Sequence, residues 1–155
     1  MLEGDTQLIQ YIFVRTDLQD SLNTGKAVAQ GCHAANLMET MAAESSKPSM
    51  DAVAAWKGDR GFGTTIVLGV SGENELFSTV EELQRHGYLA GTMHDPTYPF
   101  VAPQELQEVL IKGGATHCKD ISGTMAAYTR PETTTGFALL SESAKERVAH
   151  LKLLP

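Results

Sequence analysis

The chain has 155 residues, of which 42% are hydrophobic and 20% charged, and this composition is typical of one globular domain with its own core. Its formal net charge of -7, with twelve Lys and Arg residues spread along the sequence, argues against a broad phosphate-binding surface. The acidic start and the lack of a long apolar run argue against a secretory signal and a membrane span. Because Cys32 and Cys118 are isolated, we expect no disulfide framework and a cytoplasmic location.

The first half of the chain alternates predicted strands and helices. Residues 8–15 (LIQYIFVR) are nearly all apolar and rich in β-branched and aromatic side chains, as in a strand that is buried on both faces. A helix is predicted over residues 24–44, with Asn23 or Thr24 as its cap and Pro48 beyond its end. The remaining elements of this half are a helix at 50–56, a strand at 64–70, a helix from a Ser71 or Asn74 cap to about 87, and a strand at 89–95.

The second half begins with Pro96 and Pro99, whose close spacing predicts a stiff, extended loop. The later elements are a helix within 101–112 that starts at Pro103 and ends at Gly113-Gly114, strands at 124–129 and 134–140 joined as a hairpin through Pro131-Glu132, and a helix from a Ser141 or Ser143 cap to about 150. This order predicts an α/β fold, namely a single-domain three-layer sandwich. We expect a small mixed sheet of four to five strands with helices on both faces.

A polar corner lies where the first strand leads into the first helix. Gly25-Lys26 brings together backbone N–H groups, the positive end of the helix dipole and an ammonium, which favours an anion or a developing negative charge. Gln30 and His33 follow one and two turns later on roughly the same face, although a surface lysine and a histidine packed on the sheet are open alternatives. A nucleotide-binding phosphate loop is excluded, because Ala27 stands where that motif needs Ser or Thr.

Asp95 is the second candidate. It ends an apolar strand, where α/β folds present side chains to a ligand crevice, and its carboxylate could position water for attack on an ester or amide. An aspartate bonded to its own Asp-Pro turn is the alternative. The run Thr133-Thr134-Thr135 favours a strand and could also bind substrate. A serine hydrolase and a zinc deaminase are excluded because their motifs are missing, and no zinc spacing is matched by His94, Asp95, His117 and Cys118.

The stretch YIFVRTDLQDSLNTGKAVAQGCHAANL resembles the opening of the type II peptidyl-tRNA hydrolases. The shared features are Arg15-Thr16-Asp17-Leu18, Gly25-Lys26, and the run from Ala29-Gln30 to His33-Ala34-Ala35. Asp95 is similar to an aspartate at the end of the family's third strand, and the strand at 134–140 resembles its closing strand. With gaps, the resemblance covers 1–155 as one domain, with an insertion at about 96–133.

The resemblance implies a hydrolase that cleaves the ester between a peptide and the 3′ ribose of tRNA, and so frees stalled peptidyl-tRNA in translation and ribosome rescue. It also implies tRNA as the substrate partner, a homodimer, and no metal or cofactor. Lys26 and the helix N-terminus would steady the oxyanion, while Asp95 and a threonine would hold the attacking water. The implied catalytic residues are Lys26, Asp95, Thr135 and His33, and the implied substrate-binding residues are Asp17, Thr24, Gly25, Gln30, Thr97 and Thr134.

The acidic balance and the insertion beside the presumed site leave two other functions open. One is a divergent, non-catalytic relative that acts as a protein- or RNA-binding module, and the other is a hydrolase of small molecules. An enzyme requires Lys26 and Asp95 to converge in an open cleft, whereas a binding module is favoured if the helix at 103–112 plugs it.

Overall fold

The computed structural model describes residues 7–18, 24–101, 104–112, 117–120 and 123–154. Short 3-10 helices lie at Asp59–Gly61 and Glu142–Val148. Within these ranges the strands and α-helices are β1 (Leu8–Arg15), α1 (Thr24–Ser45), α2 (Lys47–Gly58), β2 (Thr64–Val70), α3 (Glu73–Arg85), β3 (Leu89–Val101), α4 (Gln104–Lys112), β4 (His117–Asp120), β5 (Gly123–Ser141) and β6 (Lys152–Leu153).

The strands form one open mixed sheet in the order β3-β5-β1-β2-β6, and β4 pairs with the first part of β5. β1 and β2 are parallel, whereas β5 runs antiparallel to β1 and β3, and β6 runs antiparallel to β2. The α/β fold with a small mixed sheet, expected from the order of elements, is therefore confirmed.

Helices cover both faces of the sheet, which explains why the sequence of β1 is nearly all apolar. Ile12 and Val14 face α1 and α2 and belong to one buried apolar cluster. Tyr11 and Phe13 point to the opposite face and pack in a second cluster with α3. Successive residues of a strand point to opposite faces, so a strand that is covered by helices on both sides needs apolar residues on both faces.

The helix boundaries confirm some expectations and correct others. α1 ends at Ser45, and Pro48 lies in the first turn of α2, where its missing N–H costs nothing. The expected cap of α3 by Ser71 or Asn74 is wrong, because the helix begins after Gly72 without a side-chain cap. The N–H of Ser71 donates instead to the Glu75 carboxylate at 2.5 Å. The last predicted helix is wrong in type, since Glu142–Val148 is a 3-10 helix.

The prolines of the second half do not interrupt the sheet, which corrects two predictions. β3 continues past Asp95 to Val101, because it is the edge strand and Pro96 and Pro99 need no partner on the open side. The hairpin predicted through Pro131 is wrong, since β5 is one continuous strand over Gly123–Ser141. Pro131 is accommodated where the β3–β5 register shifts and leaves it without a paired residue on β3.

Some predictions fall outside the described residues, namely the cap by Asn23, the helix start at Pro103 and the helix end at Gly113-Gly114. Among the helices that the structure describes, none combines the length and apolar character needed to cross a lipid bilayer.

Candidate active site

Gln30 links α1 to β3 and β5 through three hydrogen bonds. Gln30 is buried, with only 5% of its surface exposed, and its Nε2 donates to Oδ2 of Asp95 at 2.8 Å. Its Oε1 accepts from the hydroxyl of Thr134 at 2.6 Å, and its backbone carbonyl accepts from the hydroxyl of Thr135 at 3.4 Å. The side chains of Gln30, Asp95, Thr134 and Thr135 therefore form one hydrogen-bonded cluster.

A bulge in β5 explains how two consecutive threonines reach the same residue. Thr135 pairs with Met93 and Thr133 pairs with His94, so Thr134 is an extra residue without a partner on β3. Neighbouring strand residues normally point to opposite faces, and the extra residue places both hydroxyls on the face covered by α1. Both threonines are fully buried, and each donates its proton to Gln30.

Asp95 lies at a second irregularity, this one in β3, between its pairing with Glu132 and that of Tyr98 with Arg130. Its Oδ1 accepts from the backbone N–H of Thr97 at 2.8 Å and from the Thr97 hydroxyl at 3.3 Å. Burial raises the pKa of the Asp95 carboxyl, but the hydrogen bonds from Thr97 and Gln30 and the nearby charge of His33 outweigh it and hold the pKa below its usual value. Asp95 is therefore a half-buried carboxylate that stays ionised at neutral pH.

Lys26 lies one helical turn before Gln30, at the start of α1. It is half-buried, and its Nζ lies 5.8 Å from the centre of the Tyr98 ring, which is itself completely buried. The first turn of α1 carries no acidic side chain, so the positive end of the helix dipole is not offset there. Thr24 and Gly25, in the same turn, are exposed. The ammonium and the helix N-terminus together favour negative charge beside Asp95.

His33 is exposed on α1 and close enough to Asp95 for its charge to lower the pKa of that carboxyl. Thr97 is also exposed. α4, which follows β3, packs against β5. Lys26, His33, Asp95 and Thr97 are thus all at least partly exposed where α1 meets β3.

Asp17, which the resemblance implies as a substrate-binding residue, forms an ion pair with a buried arginine in the structure. Its carboxylate accepts from Nε and Nη2 of the buried Arg15, at 3.0 and 2.7 Å, and these bonds hold the pKa of Asp17 below its usual value. Arg15 also binds the carboxylate of Glu132 and donates to the backbone carbonyl of Thr133 at 2.9 Å. Sequence reasoning assigns no role to Arg15, although a charged residue at the end of an apolar strand is a signal for a buried ion pair.

Metal binding finds no support in the described residues, among which no three His, Cys, Asp or Glu side chains are grouped as ligands. His94 uses its Nδ1 in a 3.2 Å hydrogen bond with the Thr133 hydroxyl. The side chains of His117 and Cys118, the other members of the zinc site considered above, lie outside the described part of the chain.

A groove of about 740 Å³ runs along the other flank of α1, over β1 and β2. Its lining is mainly apolar and includes Val14, Val28, Val67 and Leu154. Lys26, Asp95 and Gln30 do not line it, whereas Thr24 in the first turn of α1 does, so the groove adjoins the polar corner at the helix N-terminus. The corner carries the ionisable groups and is the better candidate for chemistry.

The model of the family described as peptidyl-tRNA hydrolase PTH2 matches residues 8–127 of the chain. The matched region is well over half of the sequence and contains Lys26, Gln30, His33 and Asp95, but it ends before Thr134. No curated protein sequence matches the chain.

Proposed function

Since the chain belongs to the peptidyl-tRNA hydrolase PTH2 family, we propose that it cleaves the ester between a peptide and the 3′ ribose of tRNA. The observation that carries this proposal is the hydrogen bond from Gln30 to Asp95, which fixes a carboxylate beside the Lys26 end of α1. A carboxylate, an ammonium and a helix N-terminus at one open corner are the groups that ester hydrolysis by water requires.

In this mechanism Asp95 is the base. Oδ1 is held by Thr97 and Oδ2 by Gln30, so the carboxylate has a fixed direction and remaining lone pairs for a water molecule. As the water oxygen bonds to the ester carbonyl carbon, its proton passes to Asp95. Asp95 can give that proton to the ribose 3′ oxygen when the carbon–oxygen bond breaks, and His33, exposed on α1 and close enough to interact with Asp95, can relay it.

Lys26 and the first turn of α1 stabilise the negative charge that forms on the carbonyl oxygen. The ammonium supplies a full charge and the exposed turn at Thr24 and Gly25 supplies backbone N–H groups, with no acidic side chain there to weaken them. We assign Thr134 and Thr135 a positioning role through Gln30, because both hydroxyls are buried and donate to it.

The charge distribution suits a small contact with tRNA. Several exposed cations pair with carboxylates of the same chain, as Lys47 does with Asp51, Lys57 with Glu39 and Lys145 with Glu142. We therefore expect few phosphate contacts, near the start of α1, and a shallow dependence of KM on salt concentration. A cytoplasmic location, a homodimer and a role in ribosome rescue belong to the same proposal.

The test is the release of radiolabelled N-acetylated amino acid from N-acetylaminoacyl-tRNA by the purified protein. We expect kcat to fall by about 10²–10³-fold in Lys26→Ala and by about 10²–10⁴-fold in Asp95→Asn. Matched controls are Lys145→Ala and Asp51→Asn, which remove a lysine and an aspartate from exposed ion pairs elsewhere. If the wild-type protein releases no more label than buffer does, the proposed function is wrong, and if both site variants keep wild-type kcat, the assignment of the site is wrong.

A further inference from the structure

Tyr98 brings an aromatic ring from β3 to the Lys26 end of α1. It lies three residues after Asp95, in the 96–133 segment that the resemblance sets apart as an insertion. The ring is completely buried, and Nζ of Lys26 lies 5.8 Å from its centre, within the range of a cation–π interaction. The same short stretch of β3 therefore contacts both proposed catalytic groups, since Thr97 binds Asp95 and Tyr98 lies against Lys26.

The irregular register of β3 explains how Thr97 and Tyr98 reach Asp95 and Lys26 respectively. Asp95 pairs with Glu132 and Tyr98 pairs with Arg130, so three steps along β3 match two along β5. The extra residue changes which face the following side chains meet, and it brings Tyr98 under α1 together with Asp95.

We propose that Tyr98 is a positioning residue that holds the Lys26 ammonium at the oxyanion position, a role that rests on the proposed function. Lysine has a long, flexible side chain, and a freely rotating ammonium must be ordered during the reaction. A buried ring cannot move away, so its face restricts the ammonium before substrate binds. The ring would affect kcat more than KM, because the oxyanion forms only in the transition state.

The kinetic test compares Tyr98→Leu with Tyr98→Phe. We expect Tyr98→Leu to lower kcat by about tenfold with little change in KM, and Tyr98→Phe, which keeps the ring face, to restore most of that loss. In a Lys26→Met background, Tyr98→Leu should cause no further loss of kcat. The matched control is Tyr88→Leu, because Tyr88 makes a similar contact with Arg147, at 5.7 Å, outside the site.

A second readout, the NMR spectrum, does not depend on activity, and its first measurement uses only the wild-type protein. The ε-methylene protons of Lys26 should be shifted upfield by the ring current of Tyr98, in the wild-type NMR spectrum, relative to those of an exposed lysine such as Lys145. Tyr98→Leu should remove that shift. If the wild type shows no hydrolysis, the proposed function fails while the NMR comparison still decides whether Tyr98 holds the ammonium. An unshifted Lys26 resonance, or a folded Tyr98→Leu variant with wild-type kcat, would overturn the inference.

Discussion

Replacing Gln30 by Met tests the central contact of the site, because Met has a similar length and lacks the amide. The change removes the donor to Asp95 at 2.8 Å and the acceptor of the buried Thr134 hydroxyl at 2.6 Å. A hydrogen bond to a charged group contributes about 1.5–3 kcal/mol, and a buried hydroxyl left unpaired costs about 1–3 kcal/mol. Since Asp95 is half-buried and can bind water instead, the lower end applies to it. We expect the free energy of unfolding to fall by about 2.5–4.5 kcal/mol.

The effect on activity follows from the same contacts. Without the Gln30 amide, the carboxylate of Asp95 is held at one oxygen only, by Thr97, and it can rotate more freely. We expect kcat to fall by about 10²-fold, since small displacements of a reacting group cost that much. The lost hydrogen bond stabilised the charged form, so the pKa of Asp95 should rise and the acid limb of kcat should move to higher pH. Urea titration and the pH dependence of label release measure the two effects.

Gln10→Met is the matched control, because Gln10 is another buried glutamine that lies outside the site. Its amide binds the Thr65 hydroxyl at 3.1 Å and Sδ of Met38 at 3.5 Å, and Thr65 is exposed enough to bind water instead. We expect a loss of about 1 kcal/mol and unchanged kcat. Should Gln30→Met fold and keep both wild-type kcat and the wild-type acid limb, Gln30 does not orient Asp95 and the reasoning is refuted.

Further predictions concern stability. Arg15→Met removes the cation that Glu132 binds, at a side chain only 11% exposed, and should lower the free energy of unfolding by about 3 kcal/mol in urea titration. Because Arg15 holds the pKa of Asp17 below its usual value, wild-type stability should fall as pH drops below about 4, and this acid-dependent loss should be smaller in Arg15→Met. Gly63→Ala should cost about 3 kcal/mol or more, since φ is +73° and a Cβ would lie 2.3 Å from the Trp56 ring.

Two controls make these stability predictions specific. Gly58→Ala meets no heavy atom within 4 Å and has ordinary helical backbone, so it should be neutral or slightly stabilising. Asp51→Asn removes an exposed partner of Lys47 and should change the free energy of unfolding by less than about 1 kcal/mol. Equal losses for Gly58→Ala and Gly63→Ala would contradict the argument from the Trp56 contact. An acid-dependent loss unchanged in Arg15→Met would contradict the argument from Asp17.

The sequence predicts β1, β2 and α1 well because their signals are local. The apolar runs of β1 and β2 end at charged or turn-forming residues, so their boundaries were confirmed to the residue. The strands on either side of the prolines were predicted less well, because a proline is compatible with an edge strand or a register shift and with a loop. Only the pairing partners decide which applies, and those partners are distant in sequence.

The site shows the same division between local and long-range information. The burial of Gln30 is predictable from spacing, since the buried residues of α1 are Gln30, Ala34, Met38 and Ala42, each one turn apart. The orientation of Thr134 and Thr135 could not, because it depends on one unpaired residue in the register between β3 and β5. A family resemblance implied roles for these threonines but could not show that their hydroxyls bind Gln30.

The two register shifts explain how the described part of β3 beyond Asp95 lies beside the site. One bulge turns Thr134 toward α1, and the other turns Tyr98 toward α1, so β5 and β3 each lose regular pairing where the site needs an inward side chain. Beyond that point the two strands continue as a ribbon on which α4 packs. The two strands can therefore lengthen the sheet away from α1 while Thr97 and Tyr98 contact Asp95 and Lys26. Activity should then depend on residues 97 and 98 far more than on α4.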